Sequence, residues 1–200
     1  MAEELTSPNA AGARARALVP AVLFAVLLGV CGVTLYKIQH RGLDLHEIKS
    51  PLIGRPAPVF RLPSLADPTV MVSNEAFAGR PYLVNVWGTW CGECRAEHGV
   101  LLEIARRAEL PLVGLDWRDE RGIAGRYLAT LGNPYSVVAS DDDGRVAIDW
   151  GVYGAPETFL VGADGQIKHK HVGALSIDVW ERDFVPHLKA GTAAVAAVAP

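Results

Sequence analysis

Cysteine is scarce in this sequence, with three among 200 residues. Three cysteines are too few to hold together a small disulfide-rich fold, so the chain must bury a hydrophobic core and any cysteine chemistry must be local. The net charge of −3 shows no basic excess of the kind that nucleic-acid binding needs, and we expect no nucleic-acid partner. Because 50% of the residues are hydrophobic and 20% are charged, a disordered chain is excluded. Length and composition predict one ordinary globular domain plus an additional segment.

Charged residues are absent from residues 17–36, which read ALVPAVLFAVLLGVCGVTLY. A helix of this length rises about 1.5 Å per residue and spans about 30 Å, the thickness of a bilayer core. We therefore predict an uncleaved single-pass transmembrane anchor. A cleaved signal peptide is the main alternative, but the following residues KIQHRG contain no small-x-small cleavage site. Basic residues flank both ends about equally, so these charges barely orient the segment.

Changes in composition along the chain divide it into five predicted segments. We predict an N-terminal tail at 1–16, the anchor at 17–36, a polar linker at 37–50, a globular domain at 51–188 and a disordered low-complexity tail at 189–200.

Buried strands and amphipathic helices alternate within the globular part. Short apolar runs predict strands at 81–87 and 112–117, and helical spacing predicts helices at 93–107 and 120–131, the second ending at Gly132. A hairpin is predicted at 158–172 and a last amphipathic helix at 177–188. This order predicts an α/β domain with a mixed central sheet and helices on both faces.

Cys91 and Cys94 form a C-x-x-C motif between a predicted strand and the helix that follows it. In such a strand–helix context the spacing indicates thiol redox chemistry. Unpaired N–H groups and the helix dipole favour a thiolate at Cys91, and Cys94 lies one turn later, close enough to form a disulfide. We predict that Cys91 attacks a substrate disulfide and that Cys94 resolves the mixed disulfide.

The same two cysteines are compatible with other kinds of site. A zinc site needs two further ligands; the sequence has no second C-x-x-C, although His98 lies on the same helical face. Covalent haem attachment needs a histidine directly after the second cysteine, where Arg95 stands. A purely structural disulfide is a third interpretation, which the strand-to-helix position disfavours. We expect no metal and no other cofactor.

Residues 83–98, LVNVWGTWCGECRAEH, resemble the active site of the thioredoxin fold and, more narrowly, the CcmG/DsbE family of thiol:disulfide interchange proteins of cytochrome c maturation. Residues 52–65, 150–159 and 165–173 are similar to the same family. The resemblance implies a thioredoxin-like fold behind one N-terminal transmembrane helix. It also implies dithiol-disulfide oxidoreductase activity.

The resemblance further implies supporting residues around the cysteines. Pro156 matches the position of a cis-proline beside the active-site cysteines. Asn85 stands where ordinary thioredoxins carry a buried acid that helps to deprotonate the second cysteine. Glu97 and Glu157 match family acids near the active site.

The motif residues Trp90, Gly92 and Glu93 complete the predicted site. Gly92 keeps the start of the helix open. Glu93 places a negative charge between the two sulfurs, which disfavours a thiolate at Cys91 and makes the protein a better reductant. Glu93 also favours the first turn of the helix through the dipole, and both effects can act together.

The compartment and the partners follow from the chemistry and the resemblance. A reducing dithiol is a specialised need outside the cytoplasm, where disulfides form. We therefore expect a bacterial inner-membrane protein with its domain in the periplasm and residues 1–16 in the cytoplasm. The implied substrate is a disulfide of apocytochrome c or of a haem-ligation partner, and the implied electron donor is a membrane dithiol carrier of the DsbD or CcdA kind. A general membrane-tethered thioredoxin-like reductase and a metallochaperone on the same fold are the alternatives.

Overall fold

The computed structural model describes residues 10–41, 50–107 and 110–189. The chain divides into two units along the sequence, residues 1–45 and 46–200. Most of the predicted linker, the start of the predicted N-terminal tail and nearly all of the predicted C-terminal tail lie outside the described residues.

Helix α1, Ala10–Arg41, is the described part of the first unit. Within it, Val19–Lys37 is long and apolar enough to cross a membrane, with a mean hydropathy of 2.3. This segment is shifted slightly toward the C-terminus relative to the predicted anchor. The helix also continues beyond the apolar residues at both ends, where the flanking segments 10–16 and 37–41 contain no proline.

The second unit contains seven strands among the described residues. Two of them, β1 (Arg61–Pro63) and β2 (Met71–Ser73), form an antiparallel hairpin that a 3₁₀ turn, Asn74–Phe77, follows. The other five are β3 (Tyr82–Trp87), β4 (Leu112–Trp117), β5 (Val137–Asp141), β6 (Glu157–Val161) and β7 (Ile167–Val172). They form one mixed sheet in the order β5-β4-β3-β6-β7. Strands β3, β4 and β5 are parallel to one another, β6 pairs antiparallel with β3, and β7 pairs antiparallel with β6.

The helices of this unit follow the strands in sequence. They are α2 (Gly92–Arg107), α3 (Arg121–Leu131), the short α4 (Arg145–Asp149) and α5 (Ile177–Val179). The last helix continues from α5 through a π-helical turn, Trp180–Phe184, into residues 185–189. Trp180 and Phe184 are both buried in this turn, and their rings stack at 5.4 Å between centroids.

The two faces of the sheet carry separate parts of the core. Strand β3 is buried at every position, and its side chains alternate between the faces. Leu83 and Trp87 join the cluster that contains buried residues of α2, α3 and the last helix; we call this side the α2 face. Val84 and Val86 join the cluster that contains residues of the hairpin and α4; we call this side the hairpin face.

The predicted fold class is confirmed, but three elements of the domain were not predicted. The predicted strands and helices are present within one or two residues, and helices pack on both faces of a mixed sheet. Strand β5, helix α4 and the β1–β2 hairpin were not predicted. Strand β5 has only a short apolar run, Val137–Ala139, before three consecutive aspartates. Its strand conformation depends on pairing with β4, a contact that local pattern does not reveal.

Candidate active site

The two cysteines of the motif lie where β3 passes into α2. A disulfide bond joins Cys91 and Cys94, and both side chains are buried, with 6% and 4% exposed. The Cys94 N–H group donates to Cys91 Sγ at 3.0 Å, so an unpaired amide of the first helical turn points at this sulfur. Such a donor stabilises negative charge on Cys91 Sγ when the bond is reduced.

The outer side of Cys91 is bordered by the motif and by the loop before β6. The Cys91 Sγ atom lies 3.4 Å from Ala155 O, and the Ala155–Pro156 peptide bond is cis. Trp90 is 55% exposed, and Gly92 and Glu93 are exposed as well. Trp90, Gly92 and Glu93 thus adjoin the two cysteines, and the loop that carries Pro156 contacts Cys91 Sγ through Ala155 O.

A network of buried polar side chains lies on the α2 face beneath the disulfide. The Asn85 Nδ2 amide donates to Glu97 Oε1 at 2.8 Å and to Thr158 Oγ1 at 3.0 Å. The Tyr135 hydroxyl donates to Asn85 Oδ1 at 2.8 Å, and the Leu175 N–H group donates to Glu97 Oε2 at 2.7 Å. Asn85 therefore does not supply an acid itself; its amide is a hydrogen-bond donor to the buried carboxyl of Glu97.

Glu97 is the titratable group of this network closest in sequence to Cys94. Its side chain is 1% exposed and lies one helical turn after Cys94, on the same side of α2. Burial raises the pKa of Glu97 to about 7, although hydrogen bonds from Leu175 and Asn85 oppose the shift. Glu97 is therefore able to exchange a proton near neutral pH.

Glu157 lies away from this network, on the hairpin face of the sheet. Its cross-strand partner is Val86, and its carboxylate pairs with Lys170 Nζ at 2.8 Å; the two side chains are 0% and 4% exposed. The other Glu157 oxygen accepts from Tyr153 N–H at 3.2 Å, and Lys170 also donates to Gly151 O at 2.8 Å. Burial raises the pKa of Glu157, and Lys170 opposes the shift. Through these contacts Glu157 stabilises the loop that carries Pro156, from the hairpin face of the sheet.

A second buried acid, Asp116, lies on the α2 face at the end of β4. It is 1% exposed, and neither of its oxygens has a hydrogen-bond partner among the described residues. Burial, together with the smaller effects of the Asp119 and Asp142 charges, raises its pKa to about 7, and Arg121 opposes the shift. Sequence reasoning missed Asp116 because a single aspartate at the end of an apolar run is indistinguishable from the start of a polar loop.

His98, which a zinc interpretation of the motif would require, is engaged elsewhere. Its Nε2 atom lies 3.0 Å from Gly132 O, and its ring meets Tyr127 edge-on at 5.2 Å. Within the described parts of the chain, no three His, Cys, Asp or Glu side chains lie together as a metal ion requires.

Comparison with known proteins assigns the family. A family model described as Redoxin matches residues 52–183. The thiol:disulfide interchange protein DsbE of Allochromatium vinosum is 43% identical over 171 residues, which cover 86% of this chain and 91% of that protein. The chain belongs to the redoxin family, as a DsbE-type thiol:disulfide interchange protein. The DsbE of Escherichia coli K12 is 40% identical over 172 residues, covering 84% of this chain and 91% of its own length.

Solved structures agree with the DsbE assignment at the level of the fold. A secreted disulfide oxidoreductase of Mycobacterium tuberculosis, homologous to E. coli DsbE, superposes with a TM-score of 0.53 at 22% identity, covering 68% of this chain and 95% of that one. A secreted thiol-disulfide isomerase from Corynebacterium glutamicum has a TM-score of 0.57 at 22% identity, covering 62% and 81%. The predicted thioredoxin-like fold is confirmed. So is the predicted activity: this DsbE-type chain is a dithiol-disulfide oxidoreductase that acts on a thiol or disulfide partner.

Proposed function

We propose that Cys91 and Cys94 carry the reaction, with Cys91 as the nucleophile and Cys94 as the resolving thiol. The observation that supports these roles is the amide of Cys94 pointing at Cys91 Sγ at the first turn of α2. This donor and the helix dipole favour charge on Cys91 over charge on Cys94. Cys91 also directly follows Trp90, whose side chain is 55% exposed and open to a partner.

The reaction proceeds in two exchanges. The Cys91 thiolate attacks one sulfur of a partner disulfide, forms a mixed disulfide and releases the second partner sulfur as a thiolate. The Cys94 thiolate then attacks Cys91 Sγ and releases the first partner sulfur. The partner gains two electrons and, in total, two protons, and the protein is left with the Cys91–Cys94 disulfide. A donor dithiol reduces this bond by the same exchanges in reverse and restores both thiols.

Glu97 accepts the proton of Cys94 in this proposal. The resolving thiol must lose its proton before it attacks, and it lies in a buried environment that disfavours the thiolate. Glu97 is on the next turn of α2, and its pKa of about 7 places it near half ionisation at neutral pH. The neutral Asn85 holds the carboxyl in place through Oε1.

The partners and the location are proposed from the relationship to DsbE proteins. The substrate is the disulfide of an apocytochrome c haem-binding segment, or of a haem-ligation partner that holds it, and the electron donor is a membrane dithiol carrier of the DsbD or CcdA kind. Helix α1 anchors the chain once in the bacterial inner membrane through Val19–Lys37, and the domain faces the periplasm. Residues 1–16 are then a cytoplasmic tail, 17–36 the anchor, 37–50 a linker, 51–188 the catalytic domain and 189–200 a C-terminal tail.

The substrate is tested with the reduced full-length chain in detergent and an oxidised C-x-x-C-H peptide. The wild-type chain and a Cys31→Ser control are expected to reduce the peptide, whereas Cys91→Ser is expected to be inactive. Insulin serves as the comparison substrate. Faster reduction of insulin than of the peptide would favour a general thioredoxin-like reductase and contradict the apocytochrome c assignment.

The anchor is tested by fractionation of cells that express the full-length chain. A helix that spans the bilayer is not released by alkaline carbonate, and the protein should stay at full length in the membrane fraction. A soluble mature form that begins near Lys37 would show instead that α1 is a cleaved signal peptide.

A further inference from the structure

The turn that precedes Cys91 is bound to the loop between β4 and α3. One carboxylate oxygen of Asp119, Oδ2, accepts a hydrogen bond from the Thr89 N–H group. The other, Oδ1, accepts from the Thr89 hydroxyl at 2.9 Å. Both polar hydrogens of Thr89 are thus held by one side chain that lies far from it in the sequence. Thr89 is two residues before Cys91, so this contact fixes the chain directly ahead of the nucleophile.

The loop that carries Asp119 is itself rigidly built. Arg118 has a φ of 49°, the one non-glycine residue with positive φ among those described. Its N–H group donates to Asp141 O at 3.0 Å, which ties the turn to the end of β5. Asp119 Oδ1 also accepts from Glu120 N–H at 2.8 Å, at the start of α3. The carboxylate is therefore oriented before it meets Thr89.

The same loop also holds Trp90. The Trp90 Nε1 group donates to Trp117 O at 3.2 Å, and the two indole rings meet edge-on at 5.6 Å between centroids. Trp90 is 55% exposed, and this hydrogen bond and ring contact hold its indole on the loop. The segments 89–90 and 117–119 thus make a continuous contact beside the disulfide, which we call the clamp.

We propose that Asp119 is a positioning residue for Cys91, and that through Thr89 it fixes the turn from which the nucleophile attacks. Thiol–disulfide exchange needs the attacking sulfur aligned with the bond that breaks, and a small displacement lowers the rate strongly. In the oxidised protein the Cys91–Cys94 bond restrains Cys91. After reduction that restraint is gone, and the clamp becomes the main restraint on the residues that precede the nucleophile.

A positioning role differs from an electrostatic one in a measurable way. A group that orients Cys91 for exchange changes the forward and reverse rates together and leaves the equilibrium unchanged. A group that acts by its charge on the Cys91 thiolate changes the equilibrium with glutathione as well. The inference rests on the proposed role of Cys91, so the wild-type protein must exchange for the test to apply.

The test measures exchange between the reduced full-length chain and oxidised glutathione, in rate and at equilibrium. Asp119→Ala and Thr89→Val are expected to slow the exchange about 5–10-fold, a loss in keeping with a small displacement of the attacking group. Their equilibrium constants should stay within about twofold of wild type. Thr89→Ser keeps both hydrogen bonds and should match the wild type. Glu120→Gln removes the neighbouring exposed charge without touching the clamp, and it too should match.

Each outcome separates the inference from the proposed function. If Asp119→Ala does not fold, Thr89→Val, which loses only the hydroxyl contact, carries the test. Wild-type rates in that variant and in any folded Asp119→Ala would overturn the positioning role and leave the role of Cys91 intact. Slower exchange together with a changed equilibrium constant with glutathione would also overturn it, because Asp119 would then act through its charge on the Cys91 thiolate. No exchange in the wild type would refute the proposed function itself.

Discussion

At the scale of single residues, the site depends on how charge is placed around two sulfurs. One amide of α2 points at Cys91 Sγ, a buried acid with a pKa of about 7 lies one turn after Cys94, and an exposed acid, Glu93, stands between the cysteines. In the proposed mechanism the amide favours the Cys91 thiolate, the buried acid takes a proton, and Glu93 opposes the thiolate. Each effect has its own experimental signature.

Replacement of Glu93 by Gln is expected to make the protein less reducing. Loss of the negative charge favours the Cys91 thiolate and therefore the reduced form. Because Glu93 is exposed and screened by solvent, the reduction potential should rise by only about 10–20 mV. The equilibrium with glutathione measures this rise. Glu103→Gln, farther along the same helix, is the control. A more negative potential in Glu93→Gln would show that Glu93 acts through the helix turn or a partner contact instead.

Replacement of Glu97 by Gln is expected to remove a pH dependence. If the Glu97 carboxylate takes the proton of Cys94, resolution of the mixed disulfide speeds up as the pH rises through about 7, where this group ionises. The amide of Gln has no such ionisation, so the rise should disappear and resolution at pH 8 should slow about 10-fold or more. Single-turnover kinetics from pH 5.5 to 8.5 measure it. An unchanged rise in Glu97→Gln would assign the proton to another group.

The motif residues were predictable from sequence because they are adjacent in the chain. Trp90, Gly92, Glu93 and both cysteines all lie within five positions. Asp119 was not predictable, since it is 30 residues from Thr89 and an aspartate before a helix is an ordinary loop residue. The location of Glu157 required the register of β6 against β3, which decides the face that each side chain occupies.

At the scale of elements, the site is assembled from the ends of three segments. Strand β3 and α2 supply the cysteines, the loop after β4 supplies the clamp, and the loop before β6 supplies Ala155 and Pro156. Periodicity predicted the central strands and α2 because these are long and strongly apolar. It did not reveal β5 or α4, which are short and take their conformation from partners distant in sequence.

The loop before β6 depends on the buried pair of Glu157 and Lys170. Lys170→Met leaves a buried carboxylate without its cation and is expected to lower the free energy of unfolding by about 3–5 kcal/mol. Adding Glu157→Gln should recover part of the loss. Lys168→Met, on the same strand as Lys170, removes a half-exposed ion pair with Asp164 of the turn before β7 and should cost about 1 kcal/mol or less. Urea unfolding followed by tryptophan emission measures all three. Equal losses in Lys170→Met and Lys168→Met would contradict a special role for the buried pair.

At the scale of the whole molecule, buried acids with raised pKa values make the stability depend on pH. The pKa values of Asp116 and Glu97 are raised by burial to about 7, above their ordinary values of 3.8 and 4.5. Between the ordinary and the raised pKa, the folded state binds more protons than the unfolded chain. Stability therefore falls as the pH rises from about 4 to about 7, and it levels off above that range.

Replacement of Asp116 by Asn removes one of these two contributions. Relative to wild type, Asp116→Asn is expected to gain about 2–4 kcal/mol in the free energy of unfolding when the pH is raised from 4 to 8. Asp142→Asn, an exposed neighbour, should show little such change. Urea unfolding at the two pH values gives the comparison. A constant difference between Asp116→Asn and wild type at both pH values would mean that Asp116 keeps one protonation state.

The central claim is that Cys91 attacks and Cys94 resolves, and mapping of trapped mixed disulfides tests it most directly. In a Cys31→Ser background, Cys94→Ser and Cys91→Ser variants of the full-length chain are incubated with an oxidised C-x-x-C-H peptide and digested for mass spectrometry. The account predicts that Cys94→Ser accumulates the peptide on Cys91, and that Cys91→Ser accumulates little on Cys94. Equal or greater trapping on Cys94 in the Cys91→Ser variant would contradict it.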